Sequence, residues 1–206
     1  MEDSLGGGRF PASSDEEVWP ERPFDPVEAF GRRAPLEVEV GSGKARFLLE
    51  AARRNPAHDF LGLELSLAYY RICRERLARA GLSNVRAIRA DARRFVATAL
   101  EPASVEAFHV YFPDPWPKKR QRKRRLLDGA GLASLASRLE PGGILRIATD
   151  HASYAAAIEP LLATVAGLER LEWEDLPPPP ETHYERKYRA EGREIRRFLL
   201  RRTRSL

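Results

Sequence analysis

The sequence predicts a single-domain α/β protein with a doubly wound, mostly parallel sheet that ends in an antiparallel edge. Short strand-like apolar runs alternate with segments of helical length, which is typical of βαβ units. The 206 residues are enough to bury one sizeable core and too few for two large domains. After about position 166 the alternation changes, and two strand-like runs follow without a proper helix between them. These two runs predict the antiparallel edge.

The predicted domain covers 35–206, and its elements follow in order. Strands are each followed by a helix in five pairs: 36–40 and 44–54, 59–65 and 67–80, 84–90 and 92–100, 105–112 and 129–139, and 143–149 and 151–165. Strands near 168–173 and 194–202 close the chain. The four prolines at 177–180 indicate either a stiff spacer that fixes the next segment or an ordinary exposed linker.

Residues 1–34 predict a flexible or loosely packed segment, because they combine acidic clusters, three consecutive glycines and several prolines without periodicity. The first residues do not resemble a signal peptide, and no run approaches the roughly 20 apolar residues of a membrane span. Cys73 is the single cysteine. We therefore expect a cytoplasmic protein with no membrane contact. His58, His109 and His151 form no metal-ligand pattern, so no metal is expected.

Positive charge is concentrated in one run. The chain has a formal net charge of +5, and residues 118–125 (KKRQRKRR) carry seven positive charges in eight positions, so the rest of the chain is near −2 (5 − 7). This concentration favours one anionic contact surface, as expected for nucleic acid. The alternative is an ordinary solvated charged segment.

Acidic residues follow four successive predicted strands. In open α/β sheets a ligand binds beyond the carboxyl ends of the strands, so side chains at these positions are candidates for the site. One such carboxylate could simply cap the next helix, but four in succession favour a ligand. They are Glu39, Glu64, Asp91 and Asp114.

The glycine loop GSGKAR at 41–46 fits two kinds of cofactor. A dinucleotide site expects a small residue at the last position for close helix packing, and this chain has Arg46 there. Glu39 beside the loop would repel a pyrophosphate but attract the ammonium and sulfonium of S-adenosylmethionine. Glu64 lies at a spacing suited to ribose hydroxyls, and Asp91 could accept from the adenine amino group. The charges favour a methyltransferase site over a dinucleotide site.

Five separated stretches resemble the bacterial tRNA (guanine-N7)-methyltransferase family, in the right order and from about Pro35 to the C-terminus. They are LEVEVGSG at 36–43, FLGLELS at 60–66, FPDPWPKKRQRKRRL at 112–126, ATDHASYA at 149–156 and THYE at 182–185. The resemblance implies the Rossmann-like, seven-stranded class I methyltransferase sheet with an antiparallel edge strand. It also implies methyl transfer from S-adenosylmethionine to N7 of guanine 46 in the variable loop of tRNA.

The resemblance also assigns roles by position. Glu39, Glu64, Asp91 and Asp114 become the acids of the S-adenosylmethionine site, together with the loop glycines Gly41 and Gly43, and Asp114 is also the active-site residue. The implied substrate-binding residues are Lys118, Asp150, Thr182, His183, Tyr184 and Glu185. The implied tRNA-interacting residues are Arg120, Gln121, Arg122, Lys123, Arg124 and Arg125.

Two features depart from the family pattern. Ala45 replaces a third loop glycine of many relatives, a change that should still permit the turn. The N-terminal segment is shorter than, and does not match, the arginine-rich stretch associated with many members, so a closing lid is not predictable.

The chemistry indicates positioning more than proton transfer, because guanine N7 carries a free lone pair and no proton. Asp114 could stabilise the positive charge of the product base or accept from guanine N1 and N2. Lys118 could contact O6 or a phosphate, Asp150 and Glu185 could pair with base amino groups or with arginines, and Trp116 could stack on the base or pack beneath the loop.

Two other functions remain open from sequence. One is a methyltransferase of the same fold that acts on another RNA, a protein or a small molecule. The other is an RNA-binding protein without catalysis. Protein partners and the oligomeric state are not predictable from these residues.

Overall fold

The computed structural model of the protein describes residues 18–19, 22–116, 118, 120–121 and 125–204. Strands and helices alternate over most of this range. In chain order they are α1 (Pro26–Phe30), β1 (Leu36–Val40), α2 (Arg46–Arg54), β2 (Asp59–Glu64), α3 (Leu67–Ala80), β3 (Val85–Arg89), α4 (Ala92–Thr98), β4 (Val105–Tyr111), α5 (Gly129–Arg138), β5 (Leu139–Thr149), α6 (Ala152–Leu162), β6 (Leu168–Leu171), a short 3-10 helix (Trp173–Asp175), α7 (His183–Ala190) and β7 (Arg196–Arg202).

The strands form one sheet in the order β3-β2-β1-β4-β5-β7-β6. Strands β1 to β5 pair in parallel, whereas β7 inserts between β5 and β6 and runs antiparallel to both. The predicted doubly wound, mostly parallel sheet with an antiparallel edge pair is therefore confirmed. Strand order reverses between β1 and β4, and such a switch point opens a ligand crevice at the carboxyl ends of the strands.

Apolar side chains cover both faces of the sheet. Residues of α1, α4, α5 and α6 pack into one cluster around Val38 and Phe108, and residues of α2 and α3 pack into a second cluster around Phe47. Strand β1 shows why the two faces differ, since its alternation places Leu36 and Val38 on the first face and Glu37 and Glu39 on the second. The second face therefore buries charge close to the crevice.

Several helices begin directly after a residue whose side chain caps the first turn. The Asp91 carboxylate accepts from Arg94 N at 3.2 Å and caps α4, and the Asp128 carboxylate accepts from Gly131 N at 2.8 Å and caps α5. Helix α3 covers the predicted range 67–80 and ends at Gly81, whose φ of 64° suits a glycine C-cap. Among the described helices, none is both long and apolar enough to cross a membrane.

Helix α7 lies between β6 and β7, so the prediction that no proper helix separates the last two strands is wrong. The Thr182 hydroxyl accepts from Glu185 N at 2.9 Å and caps this helix. None of its residues is buried, so it has no apolar stripe for sequence periodicity to detect.

Part of the N-terminal segment 1–34 is packed more firmly than expected. Phe24 is only 3% exposed, and its ring centroid lies 5.8 Å from that of Phe95. Helix α1 follows, with Pro26 at its first position and Asp25 as its cap. For 24–30 the expectation of loose packing therefore differs from the structure. The contact between the Phe24 and Phe95 rings attaches this segment to the core, and a single aromatic contact of this kind leaves no periodic pattern in the sequence. Residues 1–17 lie outside the described range.

Candidate active site

A cavity of about 220 Å³ opens at the carboxyl ends of β1 and β4. Its floor includes Glu39 and Tyr111, and the glycine loop 41–44 forms one wall. Thr182, His183, Tyr184 and Lys187 of the α7 segment form the facing wall. Local sequence places the loop beside β1, whereas the facing wall comes from more than 130 residues further along the chain.

The glycine loop is bound tightly to β2. Gly41 N and Ser42 N donate to the carbonyl of Leu63 at 2.8 and 3.1 Å. Gly41 and Gly43 have φ values of 80° and 51°, which favour glycine. At Gly62 of β2, an added Cβ would lie 2.4 Å from Ser42 Oγ and from Leu48 Cδ1, so both side chains would have to move to admit a larger residue.

Ala45 follows the loop with a φ of 59°, in the left-handed region. Its side chain is fully buried, and its N–H donates to Ser42 O at 2.8 Å. The turn is therefore present with alanine, as expected, at a conformational cost of about 1 kcal/mol.

Two glutamates next to the loop have different surroundings. Glu64 Oε2 accepts from Gly43 N at 2.9 Å, and Glu64 Oε1 accepts from Ser66 N at 2.8 Å. Glu39 is 5% exposed, and no donor of the described residues contacts its Oε2. Burial, followed by the charge of Glu64, raises the pKa of Glu39 well above its ordinary value. A cationic ligand group would satisfy this carboxylate.

Asp91 lies just after β3, at the carboxyl end of that strand. Its carboxylate caps α4, and its side chain is exposed. It does not line the cavity of the described residues. Helix capping, the alternative explanation for a strand-end acid, is thus an observed role of this residue.

The FPDPW turn contains unusual backbone geometry. Phe112 and Trp116 have φ values of 52° and 40°, which bulky residues rarely adopt. Phe112 N donates to Ala148 O at 2.7 Å, and Arg125 Nε donates to Pro115 O at 2.8 Å. Left-handed non-glycine residues cost about 1–3 kcal/mol each and cluster at functional sites. The turn holds Asp114 exposed at the end of β4.

An aromatic cluster lies between this turn and α7. Ring centroids of Phe112 and Tyr188 are 5.3 Å apart, and those of Tyr184 and Tyr188 are 5.7 Å apart. Burial and a hydrogen bond with Tyr69 raise the pKa of Tyr184 to about 12, and the charge of Asp114 contributes to the rise. Burial also raises the pKa of Tyr188, and the charge of Asp114 contributes to this rise as well, although Asp114 is not among the described residues that line the cavity.

The predicted substrate-binding acids are paired with arginines, one of the two alternatives open from sequence. Asp150 Oδ2 accepts from Arg193 at 2.8 Å, and Glu185 Oε1 accepts from Arg197 at 2.6 Å. Thr182 is 6% exposed and caps α7, while His183 and Lys118 are exposed. These residues come from separate elements, and α7 brings three of them to the cavity wall.

The basic run is described in part. Lys118, Arg120 and Gln121 are described, and Gln121 N donates to Lys118 O at 2.8 Å. Arg125 lies over the Tyr154 ring at 4.6 Å and so supports the turn as well as adding charge. The expected contacts of Arg122, Lys123 and Arg124 fall outside the described residues.

Known proteins identify the family. Residues 33–198 match the family model described as "Putative methyltransferase". The tRNA (guanine-N(7)-)-methyltransferase of Halorhodospira halophila is 36% identical over 202 residues, which cover 90% of this chain and 86% of that protein. The chain belongs to the tRNA (guanine-N7)-methyltransferase family. The relative of the same name from Bordetella pertussis is 43% identical over 151 residues, and the chain spans 59% of its length.

Solved structures support the class I methyltransferase fold of this family member. The 16S rRNA methyltransferase KamB has a TM-score of 0.59 at 18% identity over 87% of this chain and 94% of that one. Phosphoethanolamine N-methyltransferase 2 of Haemonchus contortus, in complex with S-adenosyl-L-methionine, has a TM-score of 0.56 at 13% identity over 87% of this chain and 51% of that one. The predicted Rossmann-like sheet is confirmed.

This tRNA (guanine-N7)-methyltransferase family member also has a buried polar network that sequence reasoning missed. Glu37 accepts from His58 Nδ1 and from His109 Nε2, both at 2.7 Å, and His109 Nδ1 lies 3.0 Å from the Tyr111 hydroxyl. Tyr111 in turn lines the cavity. The sequence signal that could have predicted this network is the presence of two charged residues, Glu37 and Glu39, at alternate positions of a buried strand. His58 and His109, which form no metal-ligand pattern in the sequence, therefore support the cavity floor.

Proposed function

We propose that the protein transfers a methyl group from S-adenosylmethionine to N7 of a guanine in tRNA, with guanine 46 of the variable loop as the target. The proposal includes a catalytic domain over 35–206 and the cytoplasmic location expected from sequence. The observation that supports it most is Glu39, a buried carboxylate in a cavity beside a glycine loop, with one oxygen that has no hydrogen-bond partner among the described residues. Buried charges require a partner, and a ligand ammonium is suitable.

The residues around the cavity fit S-adenosylmethionine. Glu39 would pair with the ammonium, and the remaining lone pairs of Glu64 would accept from ribose hydroxyls. Asp91 at the end of β3 would accept from the adenine amino group, and the main chain of Gly41 and Gly43 permits close approach. When bound, S-adenosylmethionine supplies a methyl group on a positively charged sulfur. No three His, Cys, Asp or Glu side chains in the described ranges form a metal-binding group.

Asp114 has the role of charge stabiliser and base orienter in this proposal. Guanine N7 offers a lone pair without a proton, so no general base is needed, and the base becomes cationic as the bond forms. A fixed carboxylate beside the base stabilises that charge, typically by about 3–4 kcal/mol for a preorganised group. Asp114 lies within the strained turn, between Phe112 and Trp116. The rings of Tyr184 and Tyr188 nearby would hold the base by stacking.

The basic residues provide the tRNA contacts of this proposal. Lys118, Arg120, Gln121 and Arg125 follow the FPDPW turn within a few residues, as do Arg122, Lys123 and Arg124 in the sequence. Arginine and lysine bind phosphates with little sequence preference, so selectivity would come from tRNA shape and from the cavity.

Methylation of unmodified tRNA with isotopically labelled S-adenosylmethionine tests the proposal. We expect 7-methylguanine at position 46, located by mass spectrometry of tRNA fragments. Replacing Asp114 by alanine should lower kcat by about 10²–10³-fold, because a preorganised charge is lost. The matched control, Asp175→Ala in the 3-10 helix, should keep full activity.

Three outcomes would contradict the proposal or part of it. A methylated product other than 7-methylguanine would indicate a same-fold methyltransferase with another target. Absence of S-adenosylmethionine binding in calorimetry would indicate an RNA-binding protein without catalysis. Full activity of the Asp114→Ala variant would remove Asp114 from the mechanism.

A further inference from the structure

A second basic surface lies between α2 and α3, and none of its lining residues belongs to the 118–125 run. It is a groove of about 690 Å³ that begins beside the cavity, where Arg46 and His183 line both. Five arginines line this arginine groove: Arg46, Arg53 and Arg54 from α2, and Arg76 and Arg79 from α3. Glu50 and Glu181 are the acids of its lining, so the net charge is +3 (5 − 2).

The two arginines whose side chains bind backbone carbonyls are held in place without being neutralised. Arg76 Nη1 donates to Lys44 O at 2.9 Å, and Arg46 Nε donates to Glu181 O at 3.3 Å. Each contact uses one of five guanidinium N–H groups and adds no negative charge. Both residues therefore keep donors for a ligand at the end of the groove nearest the cavity.

The distal arginines are equally accessible. Arg54 pairs with Glu50 at 2.9 Å and Arg79 pairs with Glu75, both as exposed neighbours one helical turn apart. Exposed pairs of this kind are weak and exchange readily with a stronger anion. For Arg53, no acidic partner exists among the described residues. A polyanion would thus meet several available guanidinium groups along one path.

We propose that the arginine groove binds the phosphate backbone of the tRNA whose guanine enters the cavity. Guanidinium groups match phosphate in charge and in bidentate geometry. Protein interfaces are apolar at their centres and poor in charge, whereas this groove has only Leu49 and Ala80 as apolar lining. The chemistry therefore favours RNA over a protein partner.

Together with the basic run at 118–125, the groove would give the enzyme two separate sets of phosphate contacts. The 118–125 run follows the FPDPW turn after β4, and the groove lies beside the helices that follow β1 and β2. Two separated anchors fix the orientation of a folded RNA, which one charged patch cannot do. This inference rests on the proposed function, because it takes tRNA as the substrate.

Binding of tRNA at several salt concentrations tests the groove. The double variant Arg53→Gln/Arg79→Gln changes two exposed side chains that do not contact the glycine loop. We expect its tRNA Kd to rise about tenfold at ~0.1 M salt and the slope of log K against log salt to fall by about one per lost phosphate contact. KM for tRNA should rise, while kcat and the Kd of S-adenosylmethionine stay unchanged.

The matched control is Arg170→Gln/Arg201→Gln, which removes the same charge from β6 and β7 at the far edge of the sheet. It should leave the salt slope within error of the original protein. A groove variant with an unchanged slope would overturn the inference while leaving the proposed function intact. Absence of tRNA binding by the original protein would overturn both. A groove variant that changes sedimentation mass but not tRNA affinity would show a protein interface instead.

Discussion

Glu37 and Glu39 lie two residues apart on the same face of β1, yet their surroundings are opposite. Glu37 accepts hydrogen bonds from two histidines, whereas Glu39 has an oxygen with no donor among the described residues. The hydrogen bonds and charges of His109 and His58 outweigh the effect of burial and lower the pKa of Glu37, while burial and Glu64 raise the pKa of Glu39. Burial alone therefore does not distinguish a carboxylate that stabilises the fold from one that is available to a ligand.

The difference between the two carboxylates shows which one is available to a ligand. A carboxylate whose lone pairs are used by protein donors stabilises the fold, and a carboxylate that is buried without donors destabilises it. Glu39 also lines the cavity, whereas Glu37 does not. We infer that Glu37 supports the floor and that Glu39 is completed by the ligand.

The largest expected effect follows from Glu39→Gln. Loss of a buried charge that pairs with a ligand ammonium should weaken S-adenosylmethionine binding at least about 30-fold, as measured by calorimetry. The ligand-free variant should nevertheless be more stable than the original protein at neutral pH, on the order of 1 kcal/mol, because a desolvated carboxylate is removed. Asp114→Ala serves as the comparison and should change this affinity by less than about tenfold.

The pH dependence of stability sharpens the same test. The folded-state pKa of Glu39 lies above its ordinary value of 4.5, so ionisation opposes folding. Its contribution to the free energy of unfolding therefore decreases as pH rises above 4.5 toward the raised pKa. Urea titrations of Glu39→Gln should lack this decrease. A variant with lower stability and unchanged affinity would make Glu39 a structural residue.

Glu37→Gln should have the opposite effects to Glu39→Gln: stability should fall, and S-adenosylmethionine affinity should be nearly unchanged. One amide cannot accept from both histidines, so we expect a loss of about 2–3 kcal/mol in the free energy of unfolding, with S-adenosylmethionine affinity changed less than about threefold. The control is Glu50→Gln, which breaks an exposed pair with Arg54 and should cost less than about 0.5 kcal/mol.

Low pH should remove the contribution of Glu37 to the free energy of unfolding. Its folded-state pKa is below the ordinary 4.5, so the stabilisation is present above that pH and is lost as pH falls through the lowered pKa. The acid limb of the stability profile should be shallower in Glu37→Gln. An unchanged acid limb, or a large loss of cofactor affinity, would contradict the division between the two carboxylates.

The smallest effect is expected from His58, which is 24% exposed and donates one of the two hydrogen bonds to Glu37. His58→Ala should cost about 1 kcal/mol in urea unfolding, because solvent partly replaces the donor. His58→Asn should recover part of this loss, since its amide nitrogen can donate from a similar position. If alanine costs as much as Glu37→Gln, or asparagine recovers nothing, the hydrogen bond is not the source of the stability.

Local patterns were sufficient for most of the fold. Helix α3 and the strands β1 to β4 agree with the predicted ranges within one residue or two, because strand alternation, capping aspartates and Gly81 act within a few positions. Helix α7 was not predicted, because none of its residues is buried and its sequence therefore has no apolar periodicity. Helix α1 was not predicted because five residues are too few for periodicity and its anchors are aromatic.

For the candidate site, the residues next to strand ends were predictable from sequence, and the aromatic residues were not. The glycine loop and Glu39 line the cavity, and Glu64 contacts the loop through Gly43 N, because all three are adjacent to strand ends. The aromatic residues Tyr69, Tyr111 and Tyr188 were missed, because they come from α3, β4 and α7 and share no sequence motif. The pairing of Asp150 with Arg193 also joins distant segments.

The sequence by itself determined the succession of the strands and of helices α2 to α6, together with the strand-end acids and the FPDPW turn, because each depends on neighbours within one turn or strand. The tertiary structure decided which carboxylate is satisfied and which is free. Glu37 meets His109 from 72 residues away, and Glu39 meets no comparable donor in the described part of the chain. Free energies of buried charge depend on every group within a few ångströms, and those groups are brought together only by the packed fold.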